Sequence, residues 1–124
     1  MRAVCFLVGT FLFAQAPANP PGMQCHQRTL VLFSPGPNAA RHKELAPAHF
    51  SYLSGQMRAN KIIAAGPFEG NNGAAIIFAS GDWNEVQNLL NSEPFTSAGV
   101  IKISDHKMWT ACQAIGARLT PAAP

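Results

Sequence analysis

The order of apolar and amphipathic segments constrains the fold of this chain more than any other feature. Four short segments rich in apolar residues alternate with two helical patterns in the order strand, helix, strand, strand, helix, strand. This order predicts an α+β, ferredoxin-like protomer with an antiparallel four-stranded sheet. The length of 124 residues suits a single domain. The predicted strands are residues 28–33, 61–66, 73–80 and 100–109.

The first helix is predicted for residues 47–60, because Pro47 suits the first turn of a helix. Residues 38–46 before it are polar, and we predict an irregular connection there. Within the helix, His49 and Tyr52 recur at helical spacing and therefore share a face.

Asp82 and Glu85 resemble a capping box and predict the start of the second helix. Pro94 lies beyond the apolar pattern of that helix and indicates that the helix ends before it. In the fourth strand, residues 104–106 interrupt the alternation of apolar and polar side chains, which predicts a bulge.

The amino terminus resembles an export signal. Arg2 precedes an apolar run over residues 3–13, and small residues follow it. The run is shorter than the roughly 20 residues that cross a bilayer as a helix. We predict a signal peptide over residues 1–18, with cleavage after Ala18 favoured over Ala16. The mature protein is predicted to be periplasmic or secreted, with no membrane attachment.

The remaining chain divides into a Pro/Gly-containing linker (19–26), one domain (27–112) and a carboxyl-terminal tail (113–124). Removal of Arg2 with the signal leaves eight basic and six acidic residues. The basic residues are scattered singly along the chain, so the positive field of a nucleic-acid-binding protein is missing. We therefore exclude nucleic acid as a partner.

Two cysteines remain after removal of the signal peptide. Export leads to an oxidising compartment, so Cys25 and Cys112 are predicted to form a disulfide. In a ferredoxin-like sheet the first and fourth strands are antiparallel neighbours, which brings these two positions together. Among the four histidines no pair has the three- or four-residue helical spacing of a zinc site. The sequence predicts no metal and no cofactor.

Several short motifs occur in a characteristic order across residues 30–109. They are Ser34-Pro35-Gly36-Pro37, His49-Phe50-Ser51-Tyr52, Ala65-Gly66-Pro67-Phe68, Gly73-Ala74-Ala75, Glu93-Pro94-Phe95 and Trp109. As a set they resemble the YciI-like (YCII-related) family of the dimeric α/β-barrel superfamily. The resemblance implies a homodimer in which two sheets pack face to face, and a pocket that contains a histidine and an acidic residue.

On this resemblance, His49 and Glu93 are the candidate catalytic residues, and Ser34, Tyr52 and Phe68 are candidate pocket residues. Family members usually carry Asp at the position of Glu93, so this chain keeps the carboxylate on a longer arm. Without the resemblance, His49 would be expected to be a hydrogen-bonded core residue and Glu93 an ordinary solvated carboxylate.

Two classes of function follow. The first is a small-molecule enzyme of isomerase or lyase type that uses the histidine and the acid for proton transfer. The second is a noncatalytic ligand-binding or stress-associated dimeric module.

The export hypothesis predicts that the secreted protein begins close to Asn19. Mass measurement of the product from the extracytoplasmic fraction tests this, with cleavage after Ala16 as the alternative mass. Recovery of the protein from the cytoplasm with Met1 and the apolar run intact would contradict it.

Overall fold

Four antiparallel strands form one sheet, and the helices pack on one of its faces. The computed structural model describes residues 19–116. Its elements are β1 (Met23–Pro35), α1 (His42–Arg58), β2 (Ile62–Pro67), β3 (Ala74–Phe78), α2 (Trp83–Asn91), α3 (Pro94–Ser97) and β4 (Ile101–Ala114). The strand order is β2-β3-β1-β4, and every neighbouring pair is antiparallel. The predicted α+β, ferredoxin-like fold is confirmed.

The core lies between the sheet and the helices. Alternate residues of β1, including Val31 and Phe33, are buried, whereas Leu30 and Leu32 between them are only partly buried. This alternation places one face of β1 against the helices and the other on the open face of the sheet. The cluster of buried residues comprises Val31, Phe33, Leu53, Ile62, Ile76, Phe78, Val86 and Leu90.

Helix α1 begins earlier than predicted. A 3-10 turn over Ala39–Arg41 leads directly into it at His42, so the prediction of an irregular segment over residues 38–46 was wrong. Pro47 lies inside the helix and not in its first turn. A proline near the start of a helix removes only one intrahelical hydrogen bond, and this loss is small beside the packing of a 17-residue helix.

Strands β1 and β4 extend beyond the rest of the sheet. β1 begins at Met23, inside the segment predicted as a linker, and β4 continues to Ala114 in the predicted tail. Residues 23–28 pair only with residues 109–114, because β3 pairs with β1 from Thr29 onward. We call these two segments the terminal ribbon. The predicted disulfide between Cys25 and Cys112 is present in the ribbon, where the two cysteines are directly paired.

The strand register tests the predicted bulge, and the hydrogen bonds test the predicted capping box. The pairing of β1 with β4 shifts at Ser104, which confirms the predicted bulge. The carboxylate of Asp82 caps α2 by accepting from the backbone N–H of Asn84, 2.9 Å away. Glu85 does not complete the capping box, because its carboxylate accepts from the hydroxyl of Ser80. Helix α3 follows α2 and was not predicted.

The open face of the sheet carries apolar side chains from its central strands. Leu30 lies opposite Ile77 in the β1–β3 register, and both are partly exposed. Ile101, at the start of β4, instead packs against the core. Within residues 19–116 no helix is long and apolar enough to cross a membrane. The predicted signal peptide lies outside the described residues.

Loss of the Cys25–Cys112 disulfide should lower the free energy of unfolding. The two cysteines are 87 positions apart, and the chain-entropy model gives roughly 4 to 5 kcal/mol for a loop of that size. Denaturant unfolding of a Cys25→Ser, Cys112→Ser double variant checks this, with thiol-reduced wild-type protein as the matched control. Equal midpoints for oxidised wild type and double variant would contradict the prediction.

Candidate functional site

The carboxylate of Glu93 is almost completely buried and fully hydrogen bonded. Its side chain is 1% exposed, at the amino-terminal cap of α3. Oε1 accepts from Nδ1 of His49 at 2.5 Å and from the backbone N–H of Phe95 at 3.0 Å. Oε2 accepts from the backbone N–H and the hydroxyl of Thr96, at 2.8 and 2.7 Å. These four donors explain why a carboxylate can be buried here.

Burial and hydrogen bonding act in opposite directions on Glu93. Burial raises the pKa of its carboxyl group, because the charged form loses its hydration. The hydrogen bonds from His49, from the Thr96 hydroxyl and from the two backbone N–H groups together outweigh burial, so the pKa lies below its usual value. Glu93 is therefore ionised at neutral pH.

His49 lies between Glu93 and a large cavity. Its side chain is 12% exposed, and its ring stacks on Phe95 with centroids 3.8 Å apart and planes 6° from parallel. Because Glu93 holds the proton on Nδ1, the neutral ring keeps its lone pair on Nε2. His49 lines the cavity and Glu93 does not, so Nε2 is the atom of this pair that can act on a bound molecule.

The cavity lies between α1 and the sheet and has a volume of about 940 Å³. Its size is within the range of small-molecule pockets, and most of its wall is apolar. The aromatic part of the wall comes from Phe33, Phe50 and Phe95. Among its lining residues in the described chain, the ionisable side chains are His42 and His49. A neutral or weakly acidic organic molecule with a flat apolar part suits such a wall.

The predicted pocket residues occupy three different places. The hydroxyl of Tyr52 donates to the carbonyl oxygen of Leu89, and the phenol does not line the cavity. Burial, and secondly the nearby charge of Glu93, raise the pKa of Tyr52. Ser34 is in β1 beside Lys102 and does not line the cavity either. Phe68 lines a second, smaller hollow of about 280 Å³ on the open face of the sheet.

Two residues of the site were not singled out from the sequence. Thr96 supplies two of the four hydrogen bonds to Glu93, and its position three residues after the cap is the signal that could have identified it. His42 lines the cavity with His49, but residues 38–46 were predicted to be irregular, so the sequence offered no helical spacing between the two histidines. Within residues 19–116, no group of three or more His, Cys, Asp or Glu could hold a metal ion.

The chain is an α+β domain with a ferredoxin-like sheet. A buried histidine–carboxylate pair lies beside an apolar cavity that is large enough for a small molecule. Comparison with protein families identifies which group of such domains this is. The family model of the YCII-related domain matches residues 27–110, and the chain belongs to this family.

One solved structure of similar fold is 5-chloro-2-hydroxyhydroquinone dehydrochlorinase from Burkholderia phenoliruptrix, in complex with 2,5-dihydroxybenzoquinone. The TM-score is 0.54 at 22% sequence identity, and the match covers 65% of this chain and 92% of the other. At that identity the likeness supports the fold alone. No curated protein sequence matches the chain significantly.

Glu93→Gln should lower the free energy of unfolding at neutral pH. It should also make the free energy of unfolding depend less on pH. The folded-state pKa of Glu93 lies below the unfolded-state value, so its ionised form stabilises the fold above the unfolded-state pKa. This stabilisation is lost as pH falls through the folded-state pKa. We expect a cost of roughly 2 to 3 kcal/mol at pH 7, because buried donors lose a charged acceptor.

Urea unfolding of wild type and variant from pH 7 into the acid range measures both effects. The difference between the two proteins should shrink as pH falls, because the wild-type carboxylate is then protonated. Glu69→Gln, at an exposed position, is the matched control and should follow the wild type. A constant difference at every pH would show that Glu93 contributes through shape alone.

Proposed function

We propose that the protein is a small-molecule enzyme in which the His49–Glu93 pair moves a proton on a bound organic substrate, in a reaction of isomerase or lyase type. The observation that carries this proposal is the orientation of His49. Its Nδ1 donates to a buried, ionised carboxylate, and its ring lines a cavity large enough for a substrate. A base whose tautomer is fixed by a carboxylate is the usual arrangement for general acid–base chemistry.

The roles of the two residues differ. Nε2 of His49 accepts the proton from the substrate, and the positive charge that forms on the ring is stabilised by Glu93 at 2.5 Å. Glu93 is a positioning residue, because its oxygens are occupied by four donors and it does not line the cavity. Phe95 restricts rotation of the imidazole by stacking on it.

The cavity supports a flat, weakly acidic ring compound as the substrate class. Its aromatic wall would contact the ring, and no Lys, Arg, Asp or Glu is among its described lining residues. The dehydrochlorinase of similar fold is described in complex with 2,5-dihydroxybenzoquinone, which is a flat ring compound but a stronger acid than a phenol. We carry the compound class to this chain as part of the proposal.

A second candidate is a noncatalytic ligand-binding or stress-associated module. The cap geometry favours it, because Glu93 would be needed at the start of α3 even if His49 did no chemistry. The cavity would then bind a ligand without turning it over. The same variants distinguish the two candidates.

The proposal includes export and a homodimer. The Cys25–Cys112 disulfide agrees with an oxidising compartment. The partly exposed apolar side chains on the open face, Leu30, Leu32 and Ile77, would be covered by the sheet of a second copy. Ser34, on the same strand face as Leu30 and Leu32, would then lie at this interface.

His49→Gln should reduce turnover by at least about 100-fold and leave the fold intact. General acid–base groups contribute about 10² to 10⁴ in rate, and Gln can donate to Glu93 but cannot take up a proton near neutrality. Wild-type protein is first screened with unsaturated acids, lactones and chlorinated hydroxyhydroquinones, followed by proton NMR and by release of chloride.

The matched control is His26→Gln, since His26 is exposed on the terminal ribbon away from the cavity. Near-normal turnover in His49→Gln would show that His49 is not the catalytic base. Unfolding of His49→Gln would make His49 a core residue. Binding of a ring compound by wild type with no conversion would favour the noncatalytic module.

A further inference from the structure

A second imidazole lines the same cavity as His49. His42 is the first residue of α1, and the separation of seven positions between the two corresponds to about two turns, so both lie on one face of the helix. His42 is exposed, and its side chain makes no hydrogen bond or ion pair with any of the described residues. Both of its ring nitrogens are therefore available to a bound molecule.

The ring of Phe95 contacts both imidazoles. It stacks on His49 at 3.8 Å and is tilted by 44° against His42 at 5.3 Å, measured between ring centroids. The two imidazole centroids are therefore no farther apart than the sum of these distances. A small ring compound in the cavity could contact both imidazoles at once.

The backbone fixes His42 relative to Phe95. The turn before His42 is bonded to the turn after α3, since the backbone N–H and side-chain amide of Asn38 donate to the carbonyl oxygens of Gly99 and Ala98. Gly36 donates to Val100, and a Cβ on Gly36 would lie 2.2 Å from the carbonyl oxygen of Gly99. The segments that carry His42 and Phe95 are thus in direct backbone contact.

Helix stability does not explain a histidine at this position. The amino-terminal end of a helix carries partial positive charge and favours acidic residues over imidazolium. Arg41 precedes His42, Lys43 follows it, and the first acidic side chain, Glu44, is paired with Arg41. The alternative interpretation is that His42 is an ordinary solvated surface residue. That interpretation does not explain why His42 lines the cavity and contacts Phe95.

We propose that His42 is the second proton-handling residue of this site and contacts the far end of the bound molecule. This inference rests on the proposed function. Nε2 of His49 takes a proton from a C–H or O–H bond of the substrate, and the electron pair of that bond moves into the substrate. Protonated His42 gives its proton to the atom that receives the electron pair. His49 then releases its proton to solvent, and exposed His42 takes one up.

The imidazole nitrogens can be observed directly. Protein labelled with ¹⁵N-histidine is titrated with 2,5-dihydroxybenzoquinone, whose two hydroxyl groups lie on opposite sides of the ring. Long-range ¹H–¹⁵N spectra report the protonation and hydrogen bonding of each imidazole. The chain has four histidines, and the variants His26→Gln, His42→Gln, His49→Gln and His106→Gln assign the signals.

We expect the nitrogens of His42 and His49 to shift on binding, and those of His26 and His106 to stay unchanged. His42→Gln should bind the quinone about tenfold more weakly, the equivalent of one hydrogen bond, whereas His26→Gln should bind as wild type does.

Three outcomes would overturn the inference. If only His49 shifts and His42→Gln binds normally, His42 has no role in the site, while the proposed function stands. If neither His42 nor His49 shifts, the inference and the proposed site are both overturned. Equal shifts of all four histidines would mean nonspecific association, which also overturns the inference.

Discussion

The ionised carboxylate of Glu93 joins parts of the chain that are distant in sequence. It accepts hydrogen bonds from α1 through His49 and from α3 through Phe95 and Thr96. A buried charge is costly unless its partners are in place, so α1, the cap of α3 and the imidazole must take up their positions together. Glu93 therefore caps α3, holds α1 in place through His49 and orients the imidazole that is the candidate base.

This sharing limits how the site can vary. Each oxygen of Glu93 already has two donors, so Glu93 cannot leave them to reach a substrate without uncapping α3. Chemical diversity at such a site must come from the cavity wall and from imidazoles such as His42. On the proposed function, the carboxylate orients the base, and the residues that line the cavity select the bound molecule.

The sequence predicted the strand order, the disulfide and the bulge near Ser104, because each depends on local pattern or on the topology that the pattern implies. It did not predict the start of α1, because Pro47 is a strong local signal that packing of the helix overrides. The burial of Glu93 was also out of reach of local reasoning, since a carboxylate after a helix is usually solvated. Its burial depends on His49, 44 residues away in the chain.

The terminal ribbon turns the domain into a covalent ring. The part of the sequence between Cys25 and Cys112 contains the cavity residues, the His49–Glu93 pair and every helix of the described chain. A protease that cuts one exposed connection, for example around Gly70 between β2 and β3, would leave both pieces in a single molecule. The two pieces of the nicked protein would stay joined until a reductant breaks the disulfide.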